Sequence, residues 1–181
     1  MHGPVILGRA VRSRIFLVGQ APGPREGAFG RPFAWTAGRT LFGWFATLGV
    51  DEERFRDGVH IAAVCRCFPG KTPAGGDRVP DRGEVERCGE WMAREVVLQR
   101  PALVLPVGRL AIEQVLGRGT KLEQCVGRIV PRTWLGTELD VLSLPHPSGL
   151  SSWWKVEPGR GLLARALRAL NRHPVWRSAF H

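Results

Sequence analysis

A short apolar run leads directly into a loop rich in glycine and proline, and this stretch constrains the fold most. Residues 15–18 predict a buried strand that ends at Gly19. Four glycines in the following segment allow close approach of backbone to a ligand: Gly19, Gly23, Gly27 and Gly30. A helix is predicted over 36–48, with Thr36 as its N-cap. The loop matches neither G-x-G-x-x-G nor G-x-x-x-x-G-K-[ST], so an ordinary turn between strand and helix and a ligand-binding loop both remain open.

Further apolar runs predict an alternation of strands and helices along the chain. The predicted strands are 59–64, 103–107 and 141–144, and the predicted helices are 83–99, 109–116 and 162–170. Residues 51–57 are expected to form a charged surface turn, and 128–135 an extended pair with its turn at Gly136. This order predicts a three-layer α/β/α fold around a short, mostly parallel, four-stranded sheet. We expect one domain over 1–181, with a tail at 175–181 whose Trp176 and Phe180 dock on the body.

The charge balance favours a nucleic-acid partner. The 181 residues include 26 Lys and Arg against 16 Asp and Glu, a net charge of +10. Most of the cations are arginines, whose planar fork suits phosphate contacts, although an arginine-rich composition can also reflect genomic base content. No apolar run approaches the roughly 18–20 residues that span a bilayer. The N-terminal residues lack the features of a signal peptide. We therefore expect a cytoplasmic protein without a membrane partner.

The four cysteines are Cys65, Cys67, Cys88 and Cys125. Their spacing is neither C-x-x-C nor a paired repeat of it, so the signal for a zinc site is weak. Free and largely buried thiols are the expected state.

A second loop follows the last predicted strand and contains a histidine between two prolines. In the sequence Leu144-Pro145-His146-Pro147-Ser148-Gly149, the prolines hold the imidazole on a stiff turn. Such an imidazole can donate a hydrogen bond to a developing anion near neutral pH, and Ser148 can bind phosphate. The glycine-rich loop and the histidine loop each follow the end of a predicted strand. Ligands bind beyond such strand ends in parallel α/β sheets.

These two loops together resemble the motifs of the uracil-DNA glycosylase superfamily. The first motif is carried by Gly19-Gln20-Ala21-Pro22-Gly23 with Gly30-Arg31-Pro32-Phe33, and the second by His146-Pro147-Ser148 with Leu150. Three further segments occur in the order seen in the iron–sulphur branch of this superfamily. They are Cys67-Phe68-Pro69-Gly70, Cys88 and residues 101–111. The resemblance covers residues 14–152.

The resemblance implies a role for each matched residue. Phe33 stacks on a flipped base, the loop of Gly19, Gln20, Ala21 and Gly23 contacts that base, and Ala63 lies where the base edge is read. His146 stabilises the leaving anion as the main catalytic residue, beside Gln20 and Glu26. Leu150 wedges into the space left by the base. Residues expected to contact DNA are Ser148, Gly149, Leu150, Ser151, Lys71 and Arg78.

Three departures from the family pattern accompany the resemblance. Gln20 and Ala21 stand where members carry a water-positioning carboxylate, so either Glu26 supplies it or the enzyme relies on substrate phosphates and His146. Ala63 replaces an asparagine that reads uracil, which places base specificity in question. Only two cysteines match the four cluster ligands, so we predict no iron–sulphur cluster and no other metal or cofactor. Cys65 and Cys125 are the only substitutes for the absent pair.

The resemblance therefore predicts a monofunctional DNA repair glycosylase of base excision repair. It would remove uracil from single- or double-stranded DNA, leave an abasic site and act as a monomer. Two alternatives stay open at this point. One is a member that forms a stable or covalent complex with abasic DNA, and the other is a DNA-binding relative without catalysis.

Overall fold

The computed structural model describes residues 1–149 and 151–181 and contains one central sheet. Its strands are β1 (Ile15–Gly19), β2 (His60–Ala63), β3 (Leu103–Pro106), β4 (Ile129–Trp134) and β5 (Thr137–Leu142). They are ordered β2-β1-β3-β5-β4 across the sheet. Strands β2, β1, β3 and β5 are parallel, and β4 is antiparallel to β5. The α/β architecture with a mostly parallel sheet is thus confirmed.

The sheet has five strands where four were expected, because the segment before β5 forms an edge strand of its own. A tight turn at Leu135 and Gly136, both with positive φ, joins β4 to β5. Their register pairs Trp134 with Thr137 and Ile129 with Leu142. The sequence 128–135 was therefore correctly predicted as extended, but its partner strand begins at Thr137, earlier than the predicted 141.

Eight helices complete the described chain. Their bounds are α1 (Glu26–Phe29), α2 (Thr36–Ala46), α3 (Glu52–Gly58), α4 (Arg82–Gln99), α5 (Arg109–Leu116), α6 (Leu122–Cys125), α7 (Gly159–Arg172) and α8 (Pro174–Phe180), with a short 3-10 helix at Trp153–Lys155. The predicted surface turn at 51–57 is wrong. It is α3, capped by the Asp51 carboxylate, which accepts from the Arg54 N–H at 2.9 Å. Thr36 is the first residue of α2 and not its cap.

Helices cover both faces of the sheet, which explains why every residue of β1 is buried. Ile15 and Leu17 point to one layer, formed with α2, α3, α7 and α8. Phe16 and Val18 point to the other, which contains Met92 and Val96 of α4 and part of α5. The C-terminal segment docks as predicted, since Trp176 is fully buried and Phe180 is 7% exposed.

The parallel strands deliver their following loops to one edge of the sheet. Gly19 ends β1, Ala63 ends β2, Val107 and Gly108 follow β3, and Leu144 bridges to Val107 beyond the end of β5. Both loops singled out in the sequence therefore meet there. In the part of the chain that the structure describes, no helix is long and apolar enough to cross a membrane.

Candidate active site

A cavity of about 510 Å³ opens at this edge of the sheet, within the size range of small-molecule sites. Its wall includes most of the residues predicted from the sequence: Gly19, Gln20, Ala21, Gly23, Glu26, Phe33, Ala63, Lys71, Arg78, His146 and Ser148. The two loops, which are about 125 residues apart in the chain, thus form one site.

Phe33 lies directly over the end of β1. A Cβ placed on Gly19 would be 2.8 Å from Cζ and 3.0 Å from Cε2 of its ring. Only glycine therefore lets the ring pack this close to the strand end. Phe33 has φ +54, a left-handed conformation that a bulky side chain rarely adopts. Such a backbone persists when its surroundings hold it, and strained residues of this kind cluster at functional sites.

Two charged side chains hold the Phe33 backbone in place. Arg56, which is 2% exposed, donates to the carbonyls of Pro32 at 3.0 Å and Phe33 at 3.2 Å. Glu26, which is 8% exposed, accepts from the N–H of Gly23 at 2.9 Å and of Ala34 at 3.0 Å. Burial raises the pKa of Glu26, and these backbone hydrogen bonds oppose the rise. Glu26 thus lies at the predicted place, but its carboxylate ties the two halves of the first motif together.

His146 is held with one ring nitrogen as an acceptor. The Ser148 backbone N–H donates to its Nδ1 at 3.3 Å. A backbone amide can only donate, so this contact places the imidazole proton on Nε2. Burial lowers the pKa of His146, and the Asp77 carboxylate partly offsets that effect. The imidazole is therefore neutral near pH 7 and carries one donor, Nε2–H.

Gly108 makes room for this imidazole. A Cβ there would lie 2.8 Å from Cδ2 of His146, and the residue has φ +85, which side chains disfavour. The turn after β3 is consequently shaped around the histidine that follows β5.

The remaining predicted residues of the histidine loop divide into two groups. Ser148 lines the cavity. Gly149 is exposed and Ser151 is half-buried, and neither is part of the cavity wall. Leu150, the predicted wedge, lies outside the described residues.

Lys71 and Arg78 both reach the cavity, but in different states. Lys71 has a side chain that is 54% exposed, with Nζ 3.5 Å from Asp77 and 3.1 Å from the Gly75 carbonyl. Arg78 donates to both oxygens of Glu84 at 2.7 and 2.9 Å and to the Pro69 carbonyl at 2.6 Å. The Arg78 guanidinium is therefore engaged in holding its own loop, whereas the Lys71 ammonium is the more accessible cation.

The base-contact positions offer few polar side chains. Gln20 carries the one side-chain amide on the described cavity wall, while Ala21 and Ala63 contribute methyl groups and Gly23 backbone alone. Ala63 is 6% exposed at the end of β2. Of these four positions, only Gln20 offers a polar side chain to a base edge, and the others offer backbone groups alone.

Two features of the wall were missed in the sequence. Asp77 lines the cavity from the loop before α4, where proline and glycine gave no sign of which residue faces inward. Trp35 lines its mouth, 41% exposed, and its ring stacks with Phe29 at 5.9 Å. The guanidinium of Arg25 lies 4.5 Å from the Trp35 ring centre. Aromatic residues interleaved with arginine are typical of nucleic-acid surfaces, and this composition of the first motif was a signal available in the sequence.

The four cysteines do not fit a four-thiolate cluster. Cys65 and Cys88 lie against the layer of Phe16 and Val18, whereas Cys125 is buried in the layer on the opposite face of the sheet. Burial and the neighbouring Cys88 thiol raise the pKa of Cys65 to about 12, so this side chain is a neutral thiol near pH 7. Among residues 1–149 and 151–181, no group of three or more His, Cys, Asp or Glu is placed to hold a metal ion.

A sequence model of the uracil-DNA glycosylase superfamily matches residues 6–171. The chain belongs to the uracil-DNA glycosylase superfamily. This membership agrees with the α/β fold and with the two loops that first suggested it.

Curated relatives carry the name type-4 uracil-DNA glycosylase. The protein from Archaeoglobus fulgidus is 29% identical over 143 residues, which are 77% of this chain and 67% of that protein. The protein from Thermotoga maritima is 30% identical over 138 residues, 76% of this chain and 66% of that protein. The protein from Pyrobaculum aerophilum is 29% identical over 140 residues, 75% and 67% respectively. The chain thus spans about two thirds of the length of these members of the superfamily.

Proposed function

We propose that this protein is a monofunctional DNA glycosylase that hydrolyses the N-glycosidic bond of uracil in DNA and leaves an abasic site. The observation that carries the proposal is the neutral His146, whose Nε2–H is its one donor, in the cavity that also holds Phe33. Superfamily membership and the names of the relatives support the same activity. The net charge of +10 supports DNA as the substrate.

The proposed reaction begins when the base leaves the stack and enters the cavity. Phe33 stacks on its face, a contact worth about 1–3 kcal/mol per base. Gln20 and the backbone near Gly23 lie within the same wall and contact its polar edge.

Bond cleavage then places negative charge on the departing pyrimidine. His146 donates from Nε2 to the O2 oxygen as that charge develops, and a neutral imidazole does so without first losing a proton. Because burial lowers the pKa of His146, this imidazole becomes protonated at a lower pH than an exposed histidine does. Any loss of rate that comes from protonating His146 should therefore occur at a lower pH than for an unperturbed histidine.

Recognition of the surrounding DNA is assigned to the cavity rim. Lys71 and Ser148 contact phosphates, and Trp35 with Arg25 contacts the neighbouring nucleotides. We further propose that the protein acts as a cytoplasmic monomer on single- or double-stranded DNA, with no membrane partner and no cofactor.

The test is an assay on an end-labelled oligonucleotide that contains one uracil, with EDTA present. Alkali-dependent cleavage at the uracil is the expected result, and His146→Ala should lower the single-turnover rate about 10²–10³-fold. His181→Ala, a change at an exposed histidine that does not line the cavity, serves as the control.

Two other outcomes would each replace the proposal. A band that resists denaturation would indicate a stable complex with the abasic product, and DNA binding without base release would indicate a non-catalytic relative. Unchanged activity in His146→Ala would remove His146 from the mechanism.

A further inference from the structure

Hydrolysis of a glycosidic bond needs a group that positions the attacking water, and a carboxylate commonly does this work. Among the described residues of the cavity wall, two carry a carboxylate, Glu26 and Asp77. Their surroundings differ in ways that decide between them.

Glu26 is committed to the protein backbone. Oε2 accepts from the Gly23 N–H at 2.9 Å, and Oε1 accepts from the Ala34 N–H at 3.0 Å. Only 8% of the residue is exposed. Each oxygen keeps a second lone pair, but protonation of the carboxylate would weaken both hydrogen bonds that position the loop carrying Phe33.

Asp77 is open to the cavity by comparison. Its side chain is 48% exposed, and its ion-pair partner, Lys71, lies 3.5 Å from Oδ1. Its Oδ2 lies 3.8 Å from the position of a Cβ on Gly23, so the carboxylate faces the first motif. Its charge also acts on the imidazole of His146 from the second motif. The carboxylate of Asp77 therefore faces both the first motif and the second.

The backbone around Asp77 is fixed, which is what a positioned base requires. Lys71 and Asp77 form an antiparallel bridge. The Arg78 N–H donates to the Gly70 carbonyl at 2.9 Å, and the Thr72 N–H donates to the Gly76 carbonyl at 2.7 Å. The ion pair of Arg78 with Glu84 ties this loop to the start of α4.

We propose that Asp77 is the catalytic carboxylate that positions the attacking water and accepts its proton. This inference rests on the proposed function. The bond from C1′ of the sugar to N1 breaks with its electron pair going to the base, whose O2 accepts from His146. The water oxygen bonds to C1′, one water proton passes to Asp77, and Asp77 later returns that proton to the departed base or to solvent.

Asp77→Asn tests the proposal because it keeps the size of the side chain and removes the base. We expect the single-turnover rate of uracil release to fall about 10²–10⁴-fold, the usual worth of a general base. Affinity for the uracil oligonucleotide, measured by anisotropy before turnover, should stay the same or tighten, because a negative charge facing DNA is removed. Asp57→Asn is the matched control, since Asp57 is an exposed, ion-paired aspartate outside the cavity wall.

Asp77→Ala with added formate separates a chemical role from a structural one. Formate can occupy the vacated space, and it should restore a concentration-dependent part of the rate in Asp77→Ala and none in Asp77→Asn. A role limited to shaping the loop would show no formate rescue and would weaken DNA binding in both variants, and either result would overturn the proposal.

The wild-type protein is assayed first, so that the two hypotheses fail separately. If it releases no uracil, the proposed function fails and the assignment of Asp77 fails with it. If it releases uracil and Asp77→Asn matches Asp57→Asn within threefold, the function stands and the Asp77 assignment is wrong.

Discussion

Gly19 and the ring of Phe33 lie so close together that a methyl group added to Gly19 would overlap with the ring. In Gly19→Ala the new Cβ would lie 2.8 Å from Cζ, whereas carbon atoms in favourable contact are about 3.5–4.0 Å apart. The ring would have to retreat by about 0.7 Å or more to relieve the overlap. The other close neighbour, the Ala62 carbonyl oxygen, is at 3.7 Å, an ordinary contact. The substitution should therefore disturb only the Phe33 ring, on which we propose that the base stacks.

The expected loss of kcat/KM follows from the free energy of base stacking on Phe33. Base stacking of about 1–3 kcal/mol corresponds to about 5-fold to 150-fold in kcat/KM, and Gly19→Ala should fall within this range. Thermal stability should drop modestly, because overpacking a core typically costs about 1–3 kcal/mol and this ring borders a cavity into which it can move.

A double-mutant cycle provides the decisive assay. In a Phe33→Ala background the ring is gone, so adding Gly19→Ala should change kcat/KM for uracil release less than about twofold. Gly89→Ala, on the exposed side of α4 with no atom within 4 Å of the new Cβ, is the control and should leave activity unchanged. Equal losses from Gly19→Ala with and without Phe33 would refute the reasoning.

Three further predictions follow from the site and its supports. Gly108→Ala should displace the His146 ring and strain a φ of +85, lowering kcat about tenfold or more in the uracil-release assay, with wild-type binding of DNA. The ion pair with Arg78 is the main reason that the pKa of Glu84 is lowered to about 2. The stabilisation that ionised Glu84 gives the fold is therefore full above about pH 4.5 and is lost as pH falls toward 2. In urea titrations, Glu84→Gln should be least stable relative to wild type near neutral pH and should match wild type near pH 2. Trp35→Ala should weaken binding of single-stranded oligonucleotides about tenfold, whereas Trp91→Ala, at a more exposed tryptophan away from the cavity, should not.

The parallel core of the fold could be predicted because buried parallel strands are continuous apolar runs. Residues 15–18, 59–64 and 103–107 each correspond to an observed strand. Strand β4 is harder to recognise, since it contains Pro131 and Arg132 and lies at the sheet edge with most of its residues exposed. Helix α3 is short and strongly charged, so its Asp51 cap was its main signal.

Site residues could be predicted where they lie in loops directly after strand ends. They could not be predicted where the conformation of a longer loop determines which side chain faces the cavity. Phe33 and His146 were found from their motifs, and both line the cavity. Asp77 was missed because its orientation depends on the bridge to Lys71, a pairing that no local pattern reveals. The role of Glu26 as a backbone brace likewise depends on Ala34, eight positions away.

Arg56 has a consequence for how genetic data on this protein should be interpreted. Its buried guanidinium holds the carbonyls on which the Phe33 conformation depends, yet Arg56 belongs to α3 and is not part of the cavity wall. Lysine would keep the charge but not the fork that reaches Glu52 and both carbonyls together. A screen for lost activity would therefore recover Arg56 alongside residues of the cavity wall. Its recovery would report the shape of a loop that Arg56 maintains, and not a contact with the substrate.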